Sequence, residues 1–217
     1  MKNFLVIGLG SYGLYLATSL KQFKQDVTIV DNCAEVVEKY KAIFQDISVA
    51  DCTDREVLKS LGIPHFDVCF VAIGDNFEAC SIITALLKEF GAKRIIAKAK
   101  KEIQVEILKK IGADEVVYPE HDIAIKTAEK YSIDNVFDYI EIPSTEYDIY
   151  EIKVPKPWVG KNLISLQIRA KYDLNLIGVK NAQGTDMSID PNYAFQEEDH
   201  ILAICTRPSI EKVKSLK

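Results

Sequence analysis

The sequence predicts an α/β fold, a parallel sheet with helices on both faces, followed by a small α+β module. Three observations carry that expectation. Short β-branched apolar runs alternate with stretches of helical period over roughly the first 120 residues. The first of these runs flows directly into the glycine turn Gly8-Leu9-Gly10-Ser11-Tyr12-Gly13. Beyond about residue 135 the helical period fades, and alternation of the strand type follows.

Phe4 to Ile7 reads as a buried strand, and Leu14, Ala17 and Leu20 mark one side of the helix after the turn. A glycine turn between strand and helix is a phosphate cradle. Gly8 permits the sharp turn, Gly10 lets backbone N–H groups approach an anion, and Gly13 lets the helix sit tightly on the strand. The helix N-terminus adds unpaired donors and about half a positive charge. The second strand, Asp26 to Asp31, ends in a carboxylate eighteen positions after Gly13. That is close to the spacing at which an acidic residue accepts from ribose hydroxyls. A carboxylate there repels a 2′-phosphate, which favours ATP, ADP or NAD(H) over NADP. Capping of the next helix is the alternative role for Asp31.

The alternation continues in order. Ala34 to Tyr40 reads as a helix and Ile47 to Ala50 as a third strand followed by Asp51 and Cys52. Arg55 to Leu61 is a helix capped by Thr53 or Asp54 and closed by Gly62. Asp67 to Ile73 is a continuous apolar strand, as expected of a sheet covered on both faces. Gly74-Asp75-Asn76 turns into a helix from Phe77 to Phe90, and Arg94 to Ala99 is strand five. A helix from Lys101 to Ile111, strand six at Glu115 to Tyr118 and a crossover helix at about 122–131 complete a Rossmann-type domain. Ligands of such sheets bind at the carboxyl ends of the strands. The residues there are Gly8 to Gly13 (Ser11 and Tyr12 included), Asp31, Asp51, Cys52, the run Ile73, Gly74, Asp75 and Asn76, Lys98, and Pro119 with Glu120. Asp51 and Asn76 suit helix caps equally well.

The domain is expected to span residues 1–135, with a linker at 136–146 around Pro143-Ser144-Thr145 and a second module at 147–217. That module reads as an alternating strand from Tyr147 to Val154, one short helix from Asn162 to Arg169 and a strand from Asn175 to Lys180. Asn181-Ala182-Gln183-Gly184 is a hairpin loop, His200 to Thr206 a strand, and Pro208 opens a final helix.

A net charge of −5 gives no electrostatic reason to bind nucleic acid or an anionic membrane surface. The apolar runs are too short to span a bilayer, and Met1-Lys2 leads at once into a strand with no signal peptide. Five scattered cysteines without CxxC spacing fit a reducing cytoplasm, with Cys69 and Cys205 as core residues. A dehydrogenase needs a substrate domain and a group to move a proton. No tyrosine has a lysine four positions on, His65, His121 and His200 are scattered, and the trailing module is small. A ligand-binding regulator is the favoured class, with an NAD(H)-binding redox sensor or oxidoreductase as the alternative.

The segments GLGSYG, VTIVD, VADCTDREVLKSLGI, FDVCFVAIGDN, RIIAKA and KIGADEVVYPE together resemble the RCK (TrkA-N) domains that regulate potassium transport. The tail, from YDIYEIKVP through GKNLISLQIRAKYDLNLIGVK to EEDHILAI, resembles their RCK-C (TrkA-C) module. The likeness is greatest to the cytosolic subunits of bacterial Ktr potassium uptake systems. It implies a non-enzymatic gating subunit: a homo-oligomer, dimers built into an octameric ring, docked on a membrane potassium-translocating partner of the KtrB type. It also implies competitive binding of ATP and ADP, with the phosphates on Gly8, Gly10 and Gly13 and the ribose on Asp31. Asp51 would lie at the nucleoside side and Lys98 near the phosphates. Glu120 would place Mg²⁺ or Ca²⁺ beside ATP. Ile168, Arg169, Ala170 and Tyr172 would border a cyclic di-AMP pocket, Arg169 facing either a phosphate or a carboxylate. Ser11 departs from the family pattern, which has an arginine there that reaches the terminal phosphate across the dimer. Lys98, Lys100 and Lys101 are candidate replacements, and NAD(H) or AMP remain alternative ligands.

Overall fold

Six strands alternate with helices along the first half of the chain. In order they are β1 (Asn3–Ile7), α1 (Ser11–Gln22), β2 (Asp26–Asp31), α2 (Ala34–Tyr40), β3 (Ile47–Val49), α3 (Arg55–Ser60) and β4 (Val68–Val71). Then come α4 (Phe77–Glu89), β5 (Ile95–Lys98), α5 (Glu102–Ile111), β6 (Glu115–Val117) and α6 (Pro119–Ser132). This computed structural model describes residues 1–132, 136–142 and 144–216. The strands form one parallel sheet in the order β3-β2-β1-β4-β5-β6. The order reverses between β1 and β4, which opens a crevice at their carboxyl ends.

The side-chain period of two explains why both faces are covered. Leu5 and Ile7 of β1 join a core with Leu58, Ile83, Leu87 and Leu108 from α3, α4 and α5. Val6, between them, joins a second core with Ala17 of α1, Ile29 and Phe44. Pro119 takes the first helical position of α6, where its missing N–H costs nothing and its fixed φ suits the helix. The helix therefore starts three residues before the sequence reading placed it, and Glu120 lies in its first turn.

The chain divides into two compact units, Met1–Ile123 and Ala124–Lys217, so the division falls inside α6 instead of near residue 135. The second unit holds β7 (Val136–Glu141), β8 (Tyr147–Lys153), α7 (Leu163–Leu166), α8 (Ile168–Tyr172) and β9 (Asn175–Asn181). It ends with β10 (Gly184–Asp186), β11 (His200–Thr206) and α9 (Arg207–Lys214). These strands form an antiparallel sheet in the order β10-β9-β11-β8-β7. Its core includes Tyr150, Ile152, Trp158, Leu174, Phe195, Ile201 and Ile210.

Two expectations are corrected here. The stretch read as a linker, 136–146, contains β7, which pairs with β8 from Glu141↔Asp148 back to Val136↔Ile152. The turn is closed by Thr145, whose hydroxyl donates to the carbonyl of Ile142 and accepts from Tyr147 N–H. Ile133, Asp134, Asn135 and Pro143, which belonged to the expected boundary and linker, lie outside the described residues. The single helix expected over Asn162 to Arg169 is two, because Gln167 between them has φ +49° and stops the first after one turn.

Candidate functional site

A cleft of about 220 Å³ opens at the carboxyl ends of β1, β2 and β4. It is lined by Gly8, Gly10, Asp31, Asp51, Cys52, Ile73, Gly74 and Asn76, eight residues that the sequence singled out separately. A larger depression of about 430 Å³ lies at the opposite, amino ends of β1 and β2, and none of the strand-end groups reaches it.

The glycine turn is built for close approach. Gly8 has φ +96°, and a Cβ on it would stand 3.0 Å from Ile73 Cγ1. A Cβ on Gly13 would overlap the Gly8 carbonyl oxygen and lie 3.1 Å from Ala72 Cβ, so α1 packs on the turn at a distance only glycine allows. Around Gly10 nothing lies within 4 Å of a Cβ position, which leaves the space a ligand's anionic group would need.

Asp31 ties this turn to β2. Its Oδ2 accepts from Leu9 N–H at 2.6 Å and its Oδ1 from Cys33 N–H at 2.8 Å. Each oxygen keeps one lone pair for a ligand hydroxyl. Asp51 is solvent-exposed and accepts at Oδ1 from both the backbone N–H and the hydroxyl of Thr53, which holds its carboxyl below the usual range. Asn76 is the N-cap of α4, its Oδ1 accepting from Ala79 N–H at 3.0 Å, and its amide nitrogen remains available as a donor. The cap of α3 is Asp54. Cys52 is 3% exposed, and burial raises its thiol to about 12, so it is an inert wall of the cleft.

Beside Gly74 stands a basic cluster. The Lys98 side chain is 9% exposed, donates to Glu120 Oε1 at 2.6 Å and lies 5.6 Å from the Tyr12 ring centroid. That hydrogen bond holds the Glu120 carboxyl below its ordinary range, and burial raises the Tyr12 phenol. Lys100 pairs with Asp75, which is lowered in the same way. Lys101 is the exposed N-cap of α5. Ser11 opens α1 directly after the Gly10 cap, and its side chain is exposed.

Asn32, Thr53, Ala79 and Ile83 also line the cleft and are not among the residues the sequence singles out, whereas Asp75 lies within the Ile73 to Asn76 strand end that it does. Ala79 and Ile83 follow Asn76 at helical spacing on α4, and that periodicity was the available signal. Among the described residues no group of three or more His, Cys, Asp or Glu side chains is placed to hold a metal ion, at Glu120 or elsewhere. Nor is any helix among them long and apolar enough to cross a membrane.

The second expected ligand region behaves unevenly. Ile168 is 4% exposed and its side chain belongs to the core. Arg169 and Ala170 are exposed on α8, and Tyr172 is half-buried, its ring 5.1 Å from Trp158. Among the described residues Arg169 has no carboxylate partner.

A parallel sheet with this strand order, a glycine turn at the switch point and a carboxylate ending β2 define a Rossmann-type nucleotide-binding domain, here joined to a small antiparallel module. Residues 4–119 match the TrkA-N domain and residues 149–217 the TrkA-C domain. The chain is 36% identical over 203 residues to Ktr system potassium uptake protein C of Bacillus subtilis, covering 94% of this chain and 91% of that one. It is 33% identical to Ktr system potassium uptake protein A of the same organism, covering 99% and 96%. The chain therefore belongs to the TrkA-N/TrkA-C family of Ktr potassium uptake proteins. Its fold is similar to the GsuK channel, with TM-score 0.69 at 18% identity, covering 99% of this chain and 39% of that one. The same holds for GsuK bound to NAD, with TM-score 0.65 at 17% identity and the same coverage. GsuK bound to ADP matches over 62% of this chain and 35% of its own, with TM-score 0.53 at 17% identity.

Proposed function

We propose that the chain is the nucleotide-controlled regulatory subunit of a potassium uptake system, binding ATP and ADP in competition without turning them over. The observation that carries this is the joining of Asp31 to the glycine turn at the mouth of one cleft. The turn N–H groups and the end of α1 suit the phosphates, Asp31 the ribose hydroxyls, and Asp51 the nucleoside side. Cys52, Ile73 and Asn76 line the space between. Lys98 supplies the positive charge that Ser11 lacks. Glu120 is the carboxylate through which Mg²⁺ or Ca²⁺ would join the ATP phosphates, since a carboxylate beside a triphosphate needs a cation between them. The GsuK structures with NAD and with ADP support an adenine dinucleotide or nucleotide as the ligand class.

In this reading the chain is a homo-oligomer on the cytoplasmic side of the membrane. Dimers form an octameric ring under a potassium-translocating partner of the KtrB type. Exposed Ile103 and Ile107 on α5, and Ile123 and Ile125 on α6, supply apolar surface suited to that assembly. The ligand acts by binding two ring states with different affinity. Arg169, Ala170 and Tyr172 form the second site, for cyclic di-AMP, with Ile168 supporting them from the core.

The test is potassium uptake at limiting external potassium in cells that keep the membrane partner but lack its regulatory subunit. The wild-type chain restores uptake, and Asp31→Ala restores less at equal protein level. Equal rescue by both, or sustained phosphate release by the purified protein at saturating ATP, contradicts the proposal.

A further inference from the structure

The two lysines beside the cleft are already paired. Lys98 donates to Glu120 at 2.6 Å, and Lys100 donates to Asp75. Both stems converge on one glycine: a Cβ on Gly74 would stand 2.9 Å from Lys100 Cε and 3.5 Å from Lys98 Nζ. Gly74 lines the cleft, and the Lys98 ammonium and the Lys100 stem stand against Gly74, just outside the residues that line it. The partners differ in freedom. The Lys98 side chain is 9% exposed, with the Tyr12 ring beside its ammonium, whereas Glu120 is 56% exposed and Asp75 is 95% exposed. A carboxylate can swing out to water here, and Lys98 cannot.

We propose that Glu120 and Asp75 are internal counter-ions, which a diphosphate or triphosphate group displaces from Lys98 and Lys100. The inference rests on the nucleotide reading above and adds what the site discriminates: the number of phosphates. Exposed ion pairs are weak and exchange readily. A buried ammonium, in contrast, must keep an anionic partner. The exchange therefore favours a ligand whose phosphates reach past Gly10 to Gly74. A ligand that fills only the ribose end leaves both pairs intact. Once released, the carboxylates stand near like charge, and a divalent cation between them and the phosphates relieves the repulsion. Cation binding then follows phosphate binding, which accounts for a site with no protein metal cluster of its own among the described residues.

Calorimetric titration with ADP, ATP and adenosine tests this on the full chain. Wild type, Glu120→Gln and Asp75→Asn are compared in metal-free buffer and with Mg²⁺. Without metal, each substitution should tighten ADP about threefold, and the two together about tenfold, as expected for removing weak competing ion pairs. Adenosine affinity should not move. Mg²⁺ should strengthen ATP binding to the wild type and not to Glu120→Gln. Unchanged or weaker ADP binding in the metal-free variants overturns the counter-ion exchange while leaving the nucleotide reading in place. Equal tightening of adenosine overturns it as well, by showing a general effect of charge. Failure of the wild type to bind any of the three removes the nucleotide reading and this inference with it.

Discussion

Asp31 has a structural task and, in the proposed function, a ligand-binding one. Its carboxylate receives Leu9 N–H and Cys33 N–H, so it holds the glycine turn and the start of α2 before any ligand arrives. Of the two roles the sequence offers, capping is not the one the geometry takes: the N-cap of α2 is Cys33, without a side-chain cap hydrogen bond, and Asp31 accepts from that residue's own N–H while a lone pair on each oxygen stays open to a ligand. Asp31→Ala should therefore lower stability by about 1–2 kcal/mol in urea unfolding, since two backbone donors lose their acceptor. It should also weaken all adenosine nucleotides alike. Asp31→Asn keeps one acceptor and should recover part of the stability, a difference that a purely ligand-binding role would not produce. Glu120 gives a pH signature. Its carboxyl is depressed below the ordinary 4.5 by the hydrogen bond from Lys98. A depressed carboxyl contributes stability that is present above its unfolded value and is lost as pH falls through the folded one. In acid titrations the wild type should lose stability more steeply than Glu120→Gln below about pH 4.5. The size is small because the carboxylate is more than half exposed.

Elements with long periods and clear punctuation were legible from the sequence; those set by pairing or by one residue's backbone were not. The glycine turn, the six parallel strands and the cap at Asn76 follow from local patterns: β-branched runs, helical spacing and turn residues. β7 was read as a linker because its identity comes from pairing with β8, a contact no local pattern carries. The break between α7 and α8 rests on one left-handed glutamine, a conformation nothing in the residue type announces. Asp75, Lys98 and Lys100 are each legible as strand-end or cationic candidates, but that the two lysines meet over Gly74 is not, because it depends on how β4 and β5 pair. In the second unit, the indole N–H of Trp158 is buried without a hydrogen-bond partner among the described residues. Trp158→Phe should then change stability by less than about 1.5 kcal/mol, since lost volume and a removed orphan donor offset one another. Trp158→Ala should cost about 3–5 kcal/mol. Far-UV circular dichroism in urea would separate the two.

At the scale of the molecule, the chain has two units whose cores share no residue: the sheet cores of the first, and the cluster around Trp158 and Phe195 in the second. In the proposed function a ligand at the strand ends of the first unit reaches Glu120, in the opening turn of α6, the helix within which the division between the units falls. In that reading, ligand state and the start of the helix are linked through the Lys98–Glu120 ion pair. The central claim is that adenine nucleotides occupy this cleft, and competition calorimetry tests it most directly. ADP is titrated into the purified wild-type chain, then ATP and NADH into the ADP-saturated protein. The account predicts one site per chain, displacement of ADP by ATP, and loss of both heats in Asp31→Ala. Tight NADH binding with no response to ATP or ADP, or full nucleotide binding retained in Asp31→Ala, would contradict it.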